Sequence, residues 1–164
     1  MIDIVPTYNA YQHIGREFAE GYFHWFFLTQ PAPLPETMIG RDPELFLRAR
    51  MLDHTRRGAI DGAAFAEYLR CSRDAAAVHS MCEDYRASAS IDLEHDAADL
   101  NEKIRCPLLV LWAEHALMHR LFDVLAVWKE RGAQVTGKAL PGGHFLAEDS
   151  PAELLAALRE FLGH

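Results

Sequence analysis

The sequence predicts an α/β protein with a small parallel sheet and a block of helices inserted into it. Residues 107–112 and 134–140 form apolar or β-branched runs, and each run is followed by a helical pattern. Strands that are buried on both faces and alternate with helices are typical of a parallel sheet. Between Thr7 and about Asn101 no segment has the pattern of a strand, so this middle stretch is predicted to be helical.

The apolar run at residues 1–5 predicts a further strand of the same sheet, ended by Pro6. The sheet then has about three parallel strands, whereas sheets usually have about 4 to 6, so we expect part of it to be missing from this chain. The predicted bounds are residues 1–10 and 102–164 for the sheet part and 11–101 for the helical insertion.

The apolar spacing predicts one helix over residues 11–29, which the prolines of residues 30–35 terminate. Ser150 and Glu153 have the spacing of a capping box at the start of the last helix. Other helices are predicted where a capping residue or a helical pattern occurs: after Asp42, after Asp61, after Ser72, over residues 92–101 and over residues 121–131.

Composition excludes several classes of partner. The chain has 164 residues, with 16 Lys+Arg and 24 Asp+Glu, which gives a net charge of −8. This charge repels nucleic acid and anionic lipid, and no apolar run approaches the roughly 20 residues of a membrane span, so we expect neither partner. Cys71, Cys82 and Cys106 have no zinc-ligand spacing, so no metal is expected. Unpaired cysteines and the lack of a signal-peptide pattern favour a cytoplasmic protein.

His144 and Asp3 are candidate catalytic residues. His144 follows Gly142-Gly143 at the carboxyl end of the last predicted strand, where open α/β sheets place their ligands. Asp3 lies in a buried strand and needs a hydrogen-bond donor, which a histidine base would supply. A loop histidine without a role, and an aspartate satisfied within a turn, are the alternatives.

His24 and Trp25 lie in an aromatic segment of the first predicted helix, next to Tyr22. An imidazole, an indole and a phenol all donate hydrogen bonds, and such donors in a dry environment suit an anion. From spacing alone, core packing is the favoured interpretation of these residues.

Five segments together resemble the haloacetate dehalogenases of the fluoroacetate dehalogenase type. The resemblance spans nearly the whole chain in order, and the His-Trp-Phe-Phe and Gln-Pro-Ala-Pro-Leu-Pro stretches are its most unusual parts. The segments are residues 3–7 (DIVPT), 21–28 (GYFHWFFL), 30–36 (QPAPLPE), 83–87 (EDYRA) and 142–148 (GGHFLAE).

The resemblance implies an α/β-hydrolase fold with a helical cap and an enzyme that needs no cofactor and hydrolyses small haloacids. His144 resembles the base that activates water, and Asp3 resembles the acid that orients this histidine. His24, Trp25 and Tyr85 resemble the donors that surround the departing halide.

One part of the family pattern is absent from this sequence. The family's nucleophilic aspartate lies on a G-x-D-x-x-G elbow between a strand and a helix, and residues 58–62 (GAIDG) place their acid one position late and follow a helical pattern. The chain therefore resembles the C-terminal portion of the family, with no nucleophile of its own, and we expect it to be inactive alone. A complementing N-terminal half and self-association are the expected partners.

Two other functions fit the same residues. An epoxide hydrolase-like fragment would use tyrosines of the cap as proton donors, although Trp25 beside His24 favours a halide. A non-catalytic module would bind an anion or a partner, for example through an unpaired edge of the sheet.

Overall fold

The computed structural model describes residues 1–56 and 58–163, with the side chains of residues 52–56 left out. These residues divide into two units. The sheet unit comprises Met1–Phe18 and the residues from Glu94 onward, and the helical unit comprises Ala19–Leu93. The bounds predicted for the core and the insertion (1–10, 11–101 and 102–164) stay predictions.

Helices form most of the described chain, and the two strands lie in its C-terminal part. In chain order the elements are α1 (Thr7–Gln12), α2 (Arg16–Gly21), α3 (Phe23–Leu28), α4 (Leu34–Arg41), α5 (Pro43–Arg56), α6 (Gly62–Ser72), α7 (Ala75–Ser88), α8 (Ile91–Ala98), β1 (Leu108–Ala113), α9 (Leu117–Leu121), α10 (Val124–Arg131), β2 (Val135–Leu140), α11 (Leu146–Asp149) and α12 (Pro151–Leu162). None of the described helices has the length and hydropathy of a membrane-spanning segment.

The strands β1 and β2 pair in parallel, with Leu108 opposite Val135 and Ala113 opposite Leu140. Gly137 lies at the closest approach of the two strands, because a Cβ atom there would be 2.0 Å from the carbonyl oxygen of Val110. The parallel sheet and its helices confirm the predicted α/β class.

The first residues pair with the sheet over a shorter length than predicted. Ile2 forms a single parallel bridge to Leu111, and no strand extends over residues 1–5. Asp3 has a φ of 47°, in the left-handed region, and this turns the backbone away from an extended strand. The indole of Trp128 then donates to the carbonyl oxygen of Ile4 at 2.8 Å and holds the departing segment.

The single helix predicted over residues 11–29 is wrong, because α1, α2 and α3 take its place. Gly15 separates the first two helices and Gly21 ends the second, as expected from the poor helix propensity of glycine. Helix α3 does end before residues 30–35, as predicted. Pro35 is accommodated in the first turn of α4, where its missing N–H is not needed.

Two of the predicted helix starts in the helical unit are confirmed and one is wrong. The carboxylates of Asp42 and Asp61 accept from backbone N–H groups at the starts of α5 and α6, at 2.9 Å and 2.8 Å. Ser72 instead belongs to the end of α6, where its hydroxyl donates to the carbonyl oxygen of Tyr68 at 2.8 Å. Asp74 caps α7 in its place.

The predicted capping box of the last helix is also wrong. Ser150 precedes α12, but its side chain makes no capping hydrogen bond. Its hydroxyl donates to the carbonyl oxygen of Pro141, in the loop that precedes His144. Residues 121–131 form the end of α9 and the whole of α10, which Asp123 caps.

Each unit has its own hydrophobic core, and the three cysteines are free thiols. In the sheet unit the buried cluster joins the ends of both strands to the last helices: Leu111, Ala113, Ala116, Leu140, Leu146, Leu154 and Ala157. In the helical unit it joins α3, α4 and α7: Leu28, Ile39, Val78 and Cys82.

Candidate functional site

Asp3 is a buried carboxylate whose two oxygens both have partners. Only 1% of its surface is exposed. Oδ1 accepts from the backbone N–H of Ala113, at the end of β1, at 2.9 Å, and Oδ2 lies 2.6 Å from Nδ1 of His144. The backbone N–H of Asp3 donates to Leu111 at 2.7 Å. These contacts supply the donors that a buried carboxylate requires.

The contact with Asp3 determines the tautomer of His144. An ionised carboxylate only accepts hydrogen bonds, so Nδ1 of His144 carries the proton and Nε2 has the lone pair. The side chain of His144 is 39% exposed, whereas that of Asp3 is 1% exposed. An imidazole held in this way, with access to water, has the arrangement of a general base.

The loop before His144 is held in one conformation by the residues around Gly142. Gly142 has a φ of 114°, and a Cβ atom there would lie 2.8 Å from Cβ of Asp149 and 2.9 Å from Oγ of Ser150. The carbonyl oxygen of Gly142 also accepts from the backbone N–H of His115 at 3.1 Å. The predicted need for glycine before His144 is therefore confirmed at position 142.

In the helical unit, the rings of His24, Trp25 and Tyr85 lie together. The ring centroids of Tyr85 and His24 are 5.8 Å apart, and those of Tyr85 and Trp25 are 6.3 Å apart, both in edge-on arrangements. Tyr22 contacts both His24 and Trp25, at 5.7 Å and 6.0 Å. His24 is buried, with 7% of its surface exposed. We call His24, Trp25 and Tyr85 the donor cluster.

Tyr85 retains its proton in this environment. The pKa of the phenol is raised above its ordinary value of 10, and burial is the largest cause of this shift. The carboxylate of Asp84 acts in the same direction. The neighbouring guanidinium of Arg50 opposes both by lowering that pKa. Tyr85 is thus a neutral hydroxyl that can donate a hydrogen bond.

The residue after Tyr85 connects the elements around the donor cluster. Arg86 donates to Glu36 at 2.8 Å and to the carbonyl oxygen of Gln30 at 2.8 Å, and it also pairs with Glu83. Arg86 therefore joins α7 to α4 and to the loop between α3 and α4. This contact explains why residues 30–36 and 83–87, two of the segments quoted for the family resemblance, lie side by side.

The same network contains side chains with the composition of a metal site. Glu36, His79 and Glu83 have ligand atoms within 4.8 Å of one another. The guanidinium of Arg86 contacts both carboxylates, and its hydrogen bond is the main reason that the pKa of Glu36 falls from 4.5 to about 2. A positive charge at that position opposes a metal cation, so the network is best described as ion pairs.

Sequence reasoning missed Arg50, which lies in α5. One of its terminal nitrogens, Nη2, is 3.3 Å from Nε2 of His24, and its guanidinium also hydrogen-bonds the phenol of Tyr85. The sequence signal is weak, because Arg50 is a single charged residue between Ala49 and Met51 in a helix that carries several arginines.

Comparison with known proteins shows clear similarity over almost all of the chain, although no family model matches it. A fluoroacetate dehalogenase from a Burkholderia species is 42% identical over 164 residues, which are 99% of this chain and 54% of that protein. The chain thus spans about half the length of this curated relative.

Solved structures also match almost all of the chain. A proposed α/β hydrolase from Nostoc sp PCC 7120 is 49% identical, with a TM-score of 0.94 over 99% of this chain and 56% of that one. A proposed epoxide hydrolase from Pseudomonas aeruginosa is 37% identical, with a TM-score of 0.84 over 99% of this chain and 55% of that one.

With its parallel sheet and these structural neighbours, the chain has the α/β-hydrolase fold over the part of those proteins that it covers. Within that class, the resemblance of its sequence to the haloacetate dehalogenases is confirmed by the identity with fluoroacetate dehalogenase.

Proposed function

We propose that this chain supplies the acid, the base and the halide-binding groups of a hydrolytic dehalogenase that acts on haloacetates. The observation that carries this proposal is the 2.6 Å contact between Nδ1 of His144 and the buried Oδ2 of Asp3. This contact leaves Nε2 of His144 with the lone pair that a general base needs. The similarity to fluoroacetate dehalogenase supports the substrate class.

The proposed reaction has two steps and needs no cofactor. A carboxylate that this sequence does not contain attacks the halogen-bearing carbon. The carbon–halogen bond breaks, its electron pair leaves with the halide, and an ester forms. Water then attacks the carbonyl carbon of the ester while Nε2 of His144 accepts its proton, and Asp3 stabilises the imidazolium. The acyl–oxygen bond of the ester then breaks, which restores the enzyme's carboxylate, and the departing alkoxide takes the proton from His144 to give the hydroxy acid.

The donor cluster acts in the first step. The leaving halide gains negative charge as the bond to carbon breaks, so hydrogen bonds from His24, Trp25 and Tyr85 become stronger in the transition state than in the bound substrate. The protonated phenol of Tyr85 suits this role. Fluoride is a poor leaving group and would gain most from such donors.

A chimera tests this proposal. The part of the Burkholderia dehalogenase that lies outside the match is fused to residues 1–164, and fluoride release from fluoroacetate is followed with a fluoride electrode. We expect the chimera to release fluoride and the 164-residue chain alone to release none, because the chain has no nucleophile elbow. His144→Ala in the chimera should lower the rate by about 10³-fold.

His115→Ala is the matched control, since His115 is an exposed histidine of the sheet unit. It should leave the rate unchanged. A folded chimera that releases no halide from fluoroacetate, chloroacetate or bromoacetate would refute the proposal. Turnover that survives His144→Ala would refute the role of this histidine.

A second candidate function is epoxide hydrolysis, which the two tyrosines beside His24 favour. Tyr22 and Tyr85 both lie against the ring of His24, and paired tyrosines of a cap can protonate an epoxide oxygen. The same chimera is offered styrene oxide and the diol is measured. Diol formation without halide release would favour this candidate over the dehalogenase.

The remaining proposals concern partners and location. Ile2 and Ile4, beside the outer edge of β1, are 46% and 38% exposed, and this supports a complementing half or a second copy of the chain at that edge. Sedimentation of the chain alone and of the chimera distinguishes the two, because only self-association gives dimers of the chain alone. A binding module without catalysis would associate in the same way but give an inactive chimera. The cytoplasmic location stays a prediction.

A further inference from the structure

Arg50 brings a permanent positive charge to the donor cluster. Its Nη2 is 3.3 Å from Nε2 of His24, and its guanidinium hydrogen-bonds the phenol of Tyr85. Its Nε atom is buried and has no hydrogen-bond partner among the described residues. A buried N–H without a partner is costly, so this edge of the guanidinium is suited to an acceptor that binds there.

The contact with Arg50 also determines the tautomer of His24. A guanidinium has only donors, so Nε2 of His24 accepts the hydrogen bond and Nδ1 carries the proton. His24 is therefore a neutral donor through Nδ1. The positive charge of the cluster comes from Arg50 and not from an imidazolium.

Arg50 differs in its partners from three other arginines of the helical unit. Arg48, Arg70 and Arg86 pair with Glu44, Glu67 and Glu36. Among the side chains that the structure describes, no carboxylate pairs with Arg50. A partly buried guanidinium with no counterion among those side chains is stabilised by an anion that reaches it.

We propose that Arg50 is a fourth group of the halide site and supplies the charge that binds a small monovalent halide ion. This inference rests on the proposed role of the donor cluster, and it deepens that role. Hydrogen bonds from a charged donor are about twice as strong as those from a neutral one, so Arg50 is expected to contribute more to halide affinity than any single neutral donor.

The test is halide binding to the 164-residue chain without turnover. Chloride and bromide affinities are obtained from the line widths of ³⁵Cl and ⁸¹Br resonances as protein is titrated into sodium chloride or sodium bromide. Arg50→Gln should weaken binding by about tenfold or more, and Tyr85→Phe by a smaller factor. Arg70→Gln is the matched control, because Arg70 is an exposed arginine paired with Glu67, and it should bind as the wild type does.

Several outcomes would overturn the inference. Wild-type affinity in Arg50→Gln, or no halide broadening in the wild-type chain, would each do so. Acetate that displaces chloride at equal concentration in an Arg50-dependent manner would assign Arg50 to a carboxylate instead. If Arg50→Gln fails to fold by circular dichroism, Arg50→Met decides, since methionine keeps an unbranched side chain and carries no charge. We expect Arg50→Met to bind halide about tenfold or more weakly than the wild type, and wild-type affinity would refute the inference.

This result is separable from that of the chimera. If the proposed dehalogenase function fails but Arg50 binds halide, the chimera releases no halide while Arg50-dependent broadening persists. If only the inference fails, the chimera is active and the line widths do not depend on Arg50.

Discussion

The two units present charges of opposite sign, and each charge is held differently. In the sheet unit the charged group is the carboxylate of Asp3, which is fully buried and saturated by a backbone N–H and an imidazole. In the helical unit it is the guanidinium of Arg50, which is partly buried and keeps one N–H without a partner among the described residues. A saturated anion orients a base, whereas an unsaturated cation attracts a ligand.

The units also differ in what positions their side chains. Backbone geometry places His144 and Asp3: the end of β1, the turn at Gly142 and the left-handed residue at position 3. Packing between side chains of α3 and α7 places the donor cluster, with ion pairs of Arg86 around it. Substitutions in the sheet unit should therefore destabilise it by changing the backbone geometry. Substitutions in the helical unit should destabilise it by removing ion pairs.

The largest effect is expected from Asp3→Ala, which removes the acceptor of both Ala113 and His144. A buried N–H is then left without a partner, so the free energy of unfolding should fall by about 3 kcal/mol. Urea unfolding measures this change. Asp99→Ala, at an exposed position of the same unit, should change it by less than about 0.5 kcal/mol. Equal effects of the two variants would contradict the structural role of Asp3.

Asp3→Asn sharpens the same comparison, because it keeps an acceptor for Ala113 and loses the charge. The amide nitrogen then faces His144 and can only donate to it. The imidazole proton should move from Nδ1 to Nε2, which ¹⁵N chemical shifts of the ring report. An unchanged tautomer would show that Asp3 does not orient His144.

A smaller loss is expected from Gly142→Ala, which affects the turn before His144. The left-handed φ and the 2.8 Å approach to Asp149 both oppose a methyl group, so the free energy of unfolding should fall by about 2 kcal/mol. Gly62→Ala is the matched control, because a Cβ atom there has no neighbour within 4 Å. Thermal unfolding that shifts equally in both variants would contradict this account.

The smallest effect concerns the ion pairs of the helical unit. Arg86 lowers the pKa of Glu36 from 4.5 to about 2, so the folded state favours the ionised form. Its contribution to stability is complete above about pH 4.5 and is lost as the pH falls towards about 2. Between about pH 2 and pH 4.5, the melting temperature of Glu36→Gln should depend less on pH than that of the wild type, and Asp99→Asn should show the wild-type dependence. A slope that Glu36→Gln leaves unchanged would contradict the prediction.

The sequence predicts β1 and β2 better than it predicts the helices or the strand over residues 1–5. Both strands lie within one residue of their predicted bounds, because long apolar runs between polar turns have few other solutions. The single helix predicted over residues 11–29 is wrong because the spacing of apolar residues does not show that helices end near Gly15 and Gly21. The capping box predicted at Ser150 is wrong because a serine before a helix can also hydrogen-bond a different loop. Only the fold brings the carbonyl oxygen of Pro141 within reach of its hydroxyl.

The candidate site, too, could be predicted from the sequence only in part. The pairing of Asp3 with His144, 141 positions apart, could be predicted because a buried acid and a loop histidine both need partners. The resemblance to fluoroacetate dehalogenases supplied the proposed roles of the donor cluster. Arg50 could not be found in this way, since its importance lies in the absence of a carboxylate beside it among the described side chains, and pairing is a property of the fold.

The carboxylate of Asp3 has two duties at once, because Oδ1 secures the end of β1 while Oδ2 holds the imidazole. Descendants of this gene that no longer need the proposed reaction would still be selected to keep the aspartate, since losing it destabilises the sheet. His144 is partly exposed, and its side chain does not hold a strand in place as that of Asp3 does. Among related sequences, decay of the activity should therefore leave its first trace at the histidine, and an intact aspartate says little about whether a homologue still works.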